Sequence, residues 1–88
     1  MNSRKLNKAM KSAVSVTWDG CHKIYICIDA ESHAVMRDNG YSMFNVNKSG
    51  KLNDGSEAVD RVTKWYSDSC PLRFISTVAG DGSCYGCF

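Results

Sequence analysis

The most informative pattern of apolar and polar residues in the chain lies between residues 54 and 78. Five apolar side chains recur there at the spacing of helical turns: Ala58, Val59, Val62, Trp65 and Tyr66. This spacing places them on one face of an amphipathic helix, which we predict over residues 56–69 with Trp65 buried. Pro71 disfavours a helical conformation in the residue before it, and residues 72–78 then alternate as a strand does.

The N-terminal third of the chain predicts a helix followed by a β-hairpin. Residues 3–12 carry Leu6 and Met10 four positions apart, as on one face of a short helix. Apolar and polar residues then alternate on both sides of the Asp-Gly pair at 19–20, which is typical of hairpin turns. We predict a hairpin over residues 14–28 with a loop of three or five residues, because a two-residue loop would place its two apolar sets on opposite faces.

The middle of the chain predicts a short helix and a third strand. Asp29 is a favoured N-cap residue and Gly40 a favoured residue after a helix end, so we predict a helix over residues 30–39. Residues 41–47 alternate apolar and polar side chains, which indicates a strand. The segment that follows, up to Gly55, is polar and contains glycine, and it predicts a loop.

These elements define the predicted fold class. Their order is helix, strand, strand, helix, strand, helix, strand, without the repeated βαβ spacing of a parallel sheet. It indicates an α+β fold with a three- to four-stranded, mostly antiparallel sheet and helices on one face. The length predicts a single domain over residues 1–88. Residues 79–88 are rich in glycine and cysteine, and we predict a flexible tail there.

Charge and composition narrow the function classes. The net charge of +2 does not by itself indicate a polyanionic partner, although residues 1–23 hold five basic side chains against one acidic. No apolar run approaches the roughly 18 residues that span a bilayer, and residues 1–14 lack the apolar core of a signal peptide. We therefore predict a cytoplasmic protein with no membrane association, whose five cysteines are reduced thiols.

Candidate catalytic groups are sparse. His22 and His33 could act as general bases, but no spacing joins either one to a nucleophile or a carboxylate. Phosphate-binding loops, nucleophile elbows and paired-histidine metal motifs have no counterpart in the sequence. A chain of 88 residues also has little room for a pocket that excludes water. We predict that the protein is not an enzyme and needs no cofactor, with zinc as the only exception that the cysteines allow.

One metal-binding pattern is present, the CxxC formed by Cys84 and Cys87. Two cysteines at this spacing can bind one tetrahedral zinc ion, and a second pair of ligands must then complete the site. Cys21 and His22 are neighbours in the predicted hairpin loop and could supply that pair. The further thiols open to the same site are Cys27 and Cys70. The spacing matches no standard zinc finger, and the alternative is a tail of ordinary thiols.

Binding to a macromolecule is the remaining function class. The candidate contact residues are basic side chains and tyrosines: Arg4, Lys5, Lys8, Lys11, Lys23, Tyr25 and Tyr41. Basic groups bind phosphates or acidic protein surfaces, and tyrosines can stack on unpaired bases. The order of elements over residues 3–69 resembles a double-stranded-RNA-binding domain. That family places a lysine cluster at the start of its second helix, whereas residues 56–60 here carry two carboxylates, which repel phosphate.

The chain is similar in general character to the small early proteins of T-even-like phages. The resemblance rests on the basic start MNSRKLNKAM, the loop VNKSGKLNDGSE and an α+β domain with free cysteines. It implies an antitoxin-like, anti-defence protein that blocks a host toxin, nuclease or defence complex, sometimes together with RNA. We therefore predict a non-enzymatic inhibitor of a host protein or ribonucleoprotein in the host cytoplasm. The alternative is an RNA- or DNA-binding module stabilised by zinc, and the oligomeric state stays open.

Overall fold

A computed structural model of the protein describes residues 3–78, 80, 84 and 85. Its helices are α1 (Ser3–Lys11), α2 (Ala30–Asp38) and α3 (Ala58–Asp68). Its strands are β1 (Ser15–Trp18), β2 (Lys23–Cys27), β3 (Phe44–Asn45), β4 (Phe74–Val78) and β5 (Cys84–Tyr85). The predicted α+β class is confirmed, and each predicted helix is present with ends close to its predicted bounds. Among the described residues, no helix is both long and apolar enough to cross a bilayer.

The strands form one mixed sheet in the order β3-β1-β2-β4-β5. β1 pairs antiparallel with β2 and β3, and β4 pairs antiparallel with β5, whereas β2 and β4 run parallel. The sheet is therefore mostly antiparallel, as predicted. β5 was not predicted, because the glycine content of the tail argued against a regular element. Its backbone nevertheless pairs with that of β4. Apart from β5 and Gly80, the predicted flexible tail at 79–88 lies outside the described residues.

The predicted hairpin register is confirmed. Val16 lies opposite Ile26 and Trp18 opposite Ile24, so the apolar residues of both strands share one face. The loop between them is held by the Asp19 carboxylate, whose Oδ1 accepts hydrogen bonds from the next backbone N–H groups at Cys21, His22 and Lys23. Because these bonds also favour its ionised form, the pKa of the Asp19 carboxyl lies below its usual value, despite partial desolvation in the opposite direction.

The third strand is shorter than predicted. We expected a strand over residues 41–47, and the structure keeps only two residues of it, in β3. The polar backbone groups just before β3 have partners other than the backbone of β1. The Tyr41 N–H donates to the Met36 carbonyl at the end of α2, and the Ser42 carbonyl accepts a 2.7 Å hydrogen bond from the Thr17 hydroxyl. These two groups are therefore satisfied without a backbone partner on β1.

The sheet carries a hydrophobic core on each face. On one face, Ile24, Ile26 and Ile75 pack against α1 and α3, and Trp65 is buried there as predicted. On the other, a smaller cluster joins Met36 of α2 to the remaining apolar residues of the strands, Tyr25, Cys27 and Val78. The prediction that all helices lie on one face is therefore wrong for α2. The physical reason is that β2 carries apolar side chains on both of its faces, so each face of the sheet needs a covering helix.

Candidate binding surface

Helix α1 is anchored by two side chains and presents a basic outer side. Leu6 is 2% exposed, and Met10 is buried beside it in the larger core. Arg4, Lys8 and Lys11 are spaced four and three residues apart, so they project together from the side opposite Leu6, and all three are exposed. We call these three residues the basic stripe. The nine residues of α1 include no acidic side chain.

The basic stripe is not neutralised within the part of the chain that the structure describes. The ion pairs found there use other cations, namely His22, Arg37, Arg61 and Lys64. Positive side chains one helical turn apart repel each other by about 0.2–0.5 kcal/mol per pair. The stripe thus weakens α1 slightly and leaves an outward positive potential that a negative partner would relieve.

A groove lies beside the C-terminal end of α1. Its volume is about 640 Å³, within the range of about 300–1,000 Å³ that binding pockets occupy. Its lining includes apolar side chains and charged ones, among them Met10, Lys11, Val14, Val46, Lys48, Glu57 and Val59. More of the lining is apolar than polar, and Val14 is among the exposed large apolar residues of the described chain. We call this feature the α1 groove; Lys11 belongs to both it and the basic stripe.

The far wall of the α1 groove is an ordered loop. The Asn47 side-chain oxygen accepts hydrogen bonds of 2.9 and 3.0 Å from the backbone N–H groups of Ser49 and Lys51. Gly50 adopts a φ of +77°, which a residue with a side chain rarely adopts, and its carbonyl accepts the N–H of Ala58 at the start of α3. Lys48 is therefore displayed on a loop that is fastened to the body of the protein.

The remaining predicted contact residues lie away from α1. Tyr25 is only 8% exposed and meets Tyr41 edge to face at 5.4 Å, under α2 on the opposite side of the sheet. An enclosed ring of this kind is not accessible for stacking on a base. Lys23 is half-buried at the start of β2. Of the predicted contact residues, those on α1 lie together, whereas Lys23, Tyr25 and Tyr41 lie apart from them.

Of the four predicted zinc ligands, His22 and the backbone of Cys84 lie near opposite ends of β4. The backbone of Cys84 lies opposite Val78, at one end of β4, whereas the His22 carbonyl accepts the N–H of Phe74, at its other end. At about 3.3 Å per residue, these positions are about 13 Å apart along the strand. Cys87 lies outside the described residues. Within the described ranges, no three potential metal-ligating side chains converge.

Cys21 instead lies beside Cys70, a pairing that the sequence did not reveal. Their sulfur atoms are 2.7 Å apart, and the Cys70 N–H donates to the Cys21 carbonyl at 2.7 Å. The hydrogen bond between the thiols is the main cause of a raised pKa at Cys21. Forty-nine positions separate the two residues, and only the parallel pairing of β2 with β4 brings them together. A local pattern could not have predicted this contact.

The histidines do not form an accessible catalytic arrangement in the described chain. His33 Nδ1 is 2.9 Å from the Ser15 hydroxyl, a distance suited to a base and a nucleophile. Ser15 is fully buried in the sheet, so no substrate can reach that hydroxyl without rearrangement. His22 Nδ1 is 3.9 Å from the Asp19 carboxylate, which exceeds hydrogen-bonding distance.

Comparison of the chain with protein-family models, with curated proteins and with solved structures gives no match. The surface feature that bears on function is the geometry of α1 and the groove beside it. That geometry combines positive side chains that have no ion-pair partner among the described residues with an adjoining, largely apolar groove. This combination is typical of surfaces that bind another macromolecule.

Proposed function

We propose that the protein is a small, non-enzymatic binding protein that inhibits a partner protein by covering an acidic surface on it. The basic stripe and Lys48 provide the attraction, and the α1 groove receives apolar side chains of the partner. The proposal is carried by one observation: Arg4, Lys8 and Lys11 have no ion-pair partner within the described ranges, and they lie directly beside a groove whose lining is largely apolar.

Complementary charge mainly accelerates association and excludes wrong partners, whereas buried apolar contacts slow dissociation. A partner segment that carries both carboxylates and apolar side chains would use both properties. Val14, Val46 and Val59 provide the apolar lining. Because Lys11 and Lys48 also line the groove, carboxylates that flank the inserted side chains would meet positive charge.

A protein partner fits this surface better than a nucleic acid does. None of the described residues that line the groove has an aromatic side chain on which a base could stack. Glu57 also lines the groove; it would repel a phosphate and a partner carboxylate alike, so it does not distinguish these two classes of partner. Tyr25 and Tyr41, the predicted stacking residues, lie on the opposite side of the sheet. The resemblance to phage host-takeover proteins supports the inhibitory part of the proposal, with a host toxin, nuclease or defence complex as the partner.

The proposal is tested with defined probes of equal charge. A labelled peptide of alternating glutamate and leucine, a matched glutamate–serine peptide and a short single-stranded RNA are titrated with the full-length protein at low and high salt. We expect the glutamate–leucine peptide to bind most tightly and to weaken as salt rises. Tighter binding of the RNA, or equal binding of the two peptides, would refute the proposal.

Two charge-reversal variants locate the surface. Lys8→Glu combined with Lys11→Glu should weaken binding of the glutamate–leucine peptide by a factor on the order of ten or more, because two attractive charges become repulsive. The matched control is Arg37→Glu with Lys64→Glu, which changes the net charge equally at exposed positions outside the stripe and the groove. Equal losses in both variants would show a general charge effect and contradict a specific surface.

A further inference from the structure

Two thiols that belong neither to the basic stripe nor to the α1 groove have a geometry suited to covalent chemistry. Cys21 lies in the β1–β2 loop, and Cys70 follows the end of α3. Their sulfur atoms are 2.7 Å apart, closer than unbonded sulfur atoms usually approach, and a disulfide bond measures about 2.05 Å. Both residues are exposed, so a reagent in solution can reach them.

The backbone around both thiols is held in place. Asp19 binds the N–H groups of the loop that contains Cys21. Pro71 restricts the backbone conformation of Cys70, and the Cys70 N–H bonds directly to the Cys21 carbonyl. Two cysteines can be bridged only if their backbones are already close, and here they are tied together. Closing a bond between the sulfurs therefore requires little rearrangement.

We propose that Cys21 and Cys70 form a modification site that closes to a reversible disulfide by exchange with a low-molecular-weight disulfide such as oxidised glutathione. This site is independent of the proposed binding function. The bond would link the β1–β2 loop to the segment that leads into β4. It would thereby strengthen the end of the sheet at which β2 and β4 begin their parallel pairing.

The exchange proceeds in two balanced steps. A thiolate at Cys70 attacks the glutathione disulfide, which forms a Cys70–glutathione mixed disulfide and releases one glutathione thiolate. Cys21 then loses its proton to solvent and attacks the Cys70 sulfur, which forms the Cys21–Cys70 disulfide and releases the second glutathione. Two protein thiols are oxidised by two electrons, and one glutathione disulfide is reduced to two thiols. The raised pKa of Cys21 favours Cys70 as the first attacking group.

Peptide mapping of the native full-length protein after exposure to oxidised glutathione tests the site. Free thiols are blocked at low pH before digestion, so that the bonds present are preserved. Five cysteines allow ten intramolecular pairings, and we expect the Cys21–Cys70 pair to predominate. The oxidised protein should be lighter than the reduced protein by two hydrogen atoms, and dithiothreitol should restore the original mass. The same treatment in denaturant should scatter the pairings. A native distribution that matches the denatured one would overturn the proposal.

Variants separate ring closure from simple thiol reactivity. Cys70→Ser should stop at a mixed disulfide on Cys21, whereas Cys27→Ser should close as the wild type does, because Cys27 is fully buried on the α2 side of the sheet. Circular dichroism of each variant confirms that it is folded. In the wild type, mixed glutathione disulfides that persist on Cys21 or Cys70 without closure would also overturn the proposal.

Discussion

Replacing Leu6 with alanine tests whether α1 is held on the sheet as the structure shows. A nine-residue helix is too short to be stable alone, since isolated helices below about 12–15 residues are marginal in water. Its position therefore depends on the side chains that it buries. Leu6 is 2% exposed within the core that includes α3 and the sheet, and its loss should both destabilise the fold and release the basic stripe.

The size of the effect follows from the burial of this side chain. Truncating a buried leucine to alanine costs about 2–5 kcal/mol, which includes the cavity that remains. An 88-residue domain has a free energy of unfolding of about 4–13 kcal/mol. A loss of about 3 kcal/mol would thus remove a large part of the stability. At roughly 4–8 °C per kcal/mol for a domain of this size, the melting temperature should fall by about 12–24 °C.

Urea denaturation followed by circular dichroism measures the change in stability, and hydrogen exchange shows where protection is lost. We expect Leu6→Ala to lower the unfolding midpoint and to accelerate exchange throughout α1. Lys8→Ala is the control on the same helix, and its exposed side chain predicts a change within about 0.5 kcal/mol. A loss below about 1 kcal/mol for Leu6→Ala, with α1 still protected, would refute the packing of α1 described above.

Three further predictions concern the Asp54 carboxylate, the Cys21–Cys70 thiol pair and the α1 groove. Ser56 and Arg61 hydrogen-bond the Asp54 carboxylate and lower its pKa from 3.8 to about 2. The stabilisation that the ionised carboxylate provides is present above pH ~4 and is lost as the pH falls towards 2. Denaturant titrations should therefore show that Asp54→Asn destabilises the protein at pH 7 and has little effect at pH 2. Oxidation of the thiol pair closes a loop across 49 positions, and the loss of unfolded-chain entropy should stabilise the fold by about 4 kcal/mol. Calorimetry should show a raised melting temperature that dithiothreitol reverses. An unchanged melting temperature would contradict this prediction. Val46→Asp should weaken binding of the glutamate–leucine peptide at least tenfold, and Val46→Ala should weaken it less. Affinities of both variants equal to that of the wild type would exclude the groove as the binding site.

Local patterns were sufficient for the features that a single element determines. The periodicity around Val62 and Trp65 predicted α3, and the alternation on both sides of the Asp-Gly turn predicted the hairpin register, because a one-residue slip would expose its apolar residues. The basic character of α1 was also predictable, because it follows from the residues of that helix alone. Asp29 was correctly predicted as the N-cap of α2, where it forms a capping box with Ser32.

Features that depend on distant segments were not predictable. The parallel pairing of β2 with β4 follows from the packing of α3 across the sheet, and no pattern in either strand specifies it. That pairing brings Cys21 to Cys70. The α1 groove likewise depends on a loop near Asn47 lying beside the end of α1. Its lining side chains, such as Val14 and Val46, have no distinguishing pattern in the sequence.

Differential acylation of lysines, with and without the bound glutamate–leucine peptide, tests the proposed surface most directly. Each lysine of the full-length protein reports its own accessibility by mass spectrometry. Lys8, Lys11 and Lys48 should lose reactivity in the complex, while the exposed Lys64 on α3 keeps its free rate. Protection of Lys64, with Lys8, Lys11 and Lys48 labelled as fast as in the free protein, would contradict the assignment of α1 and its groove as the binding surface.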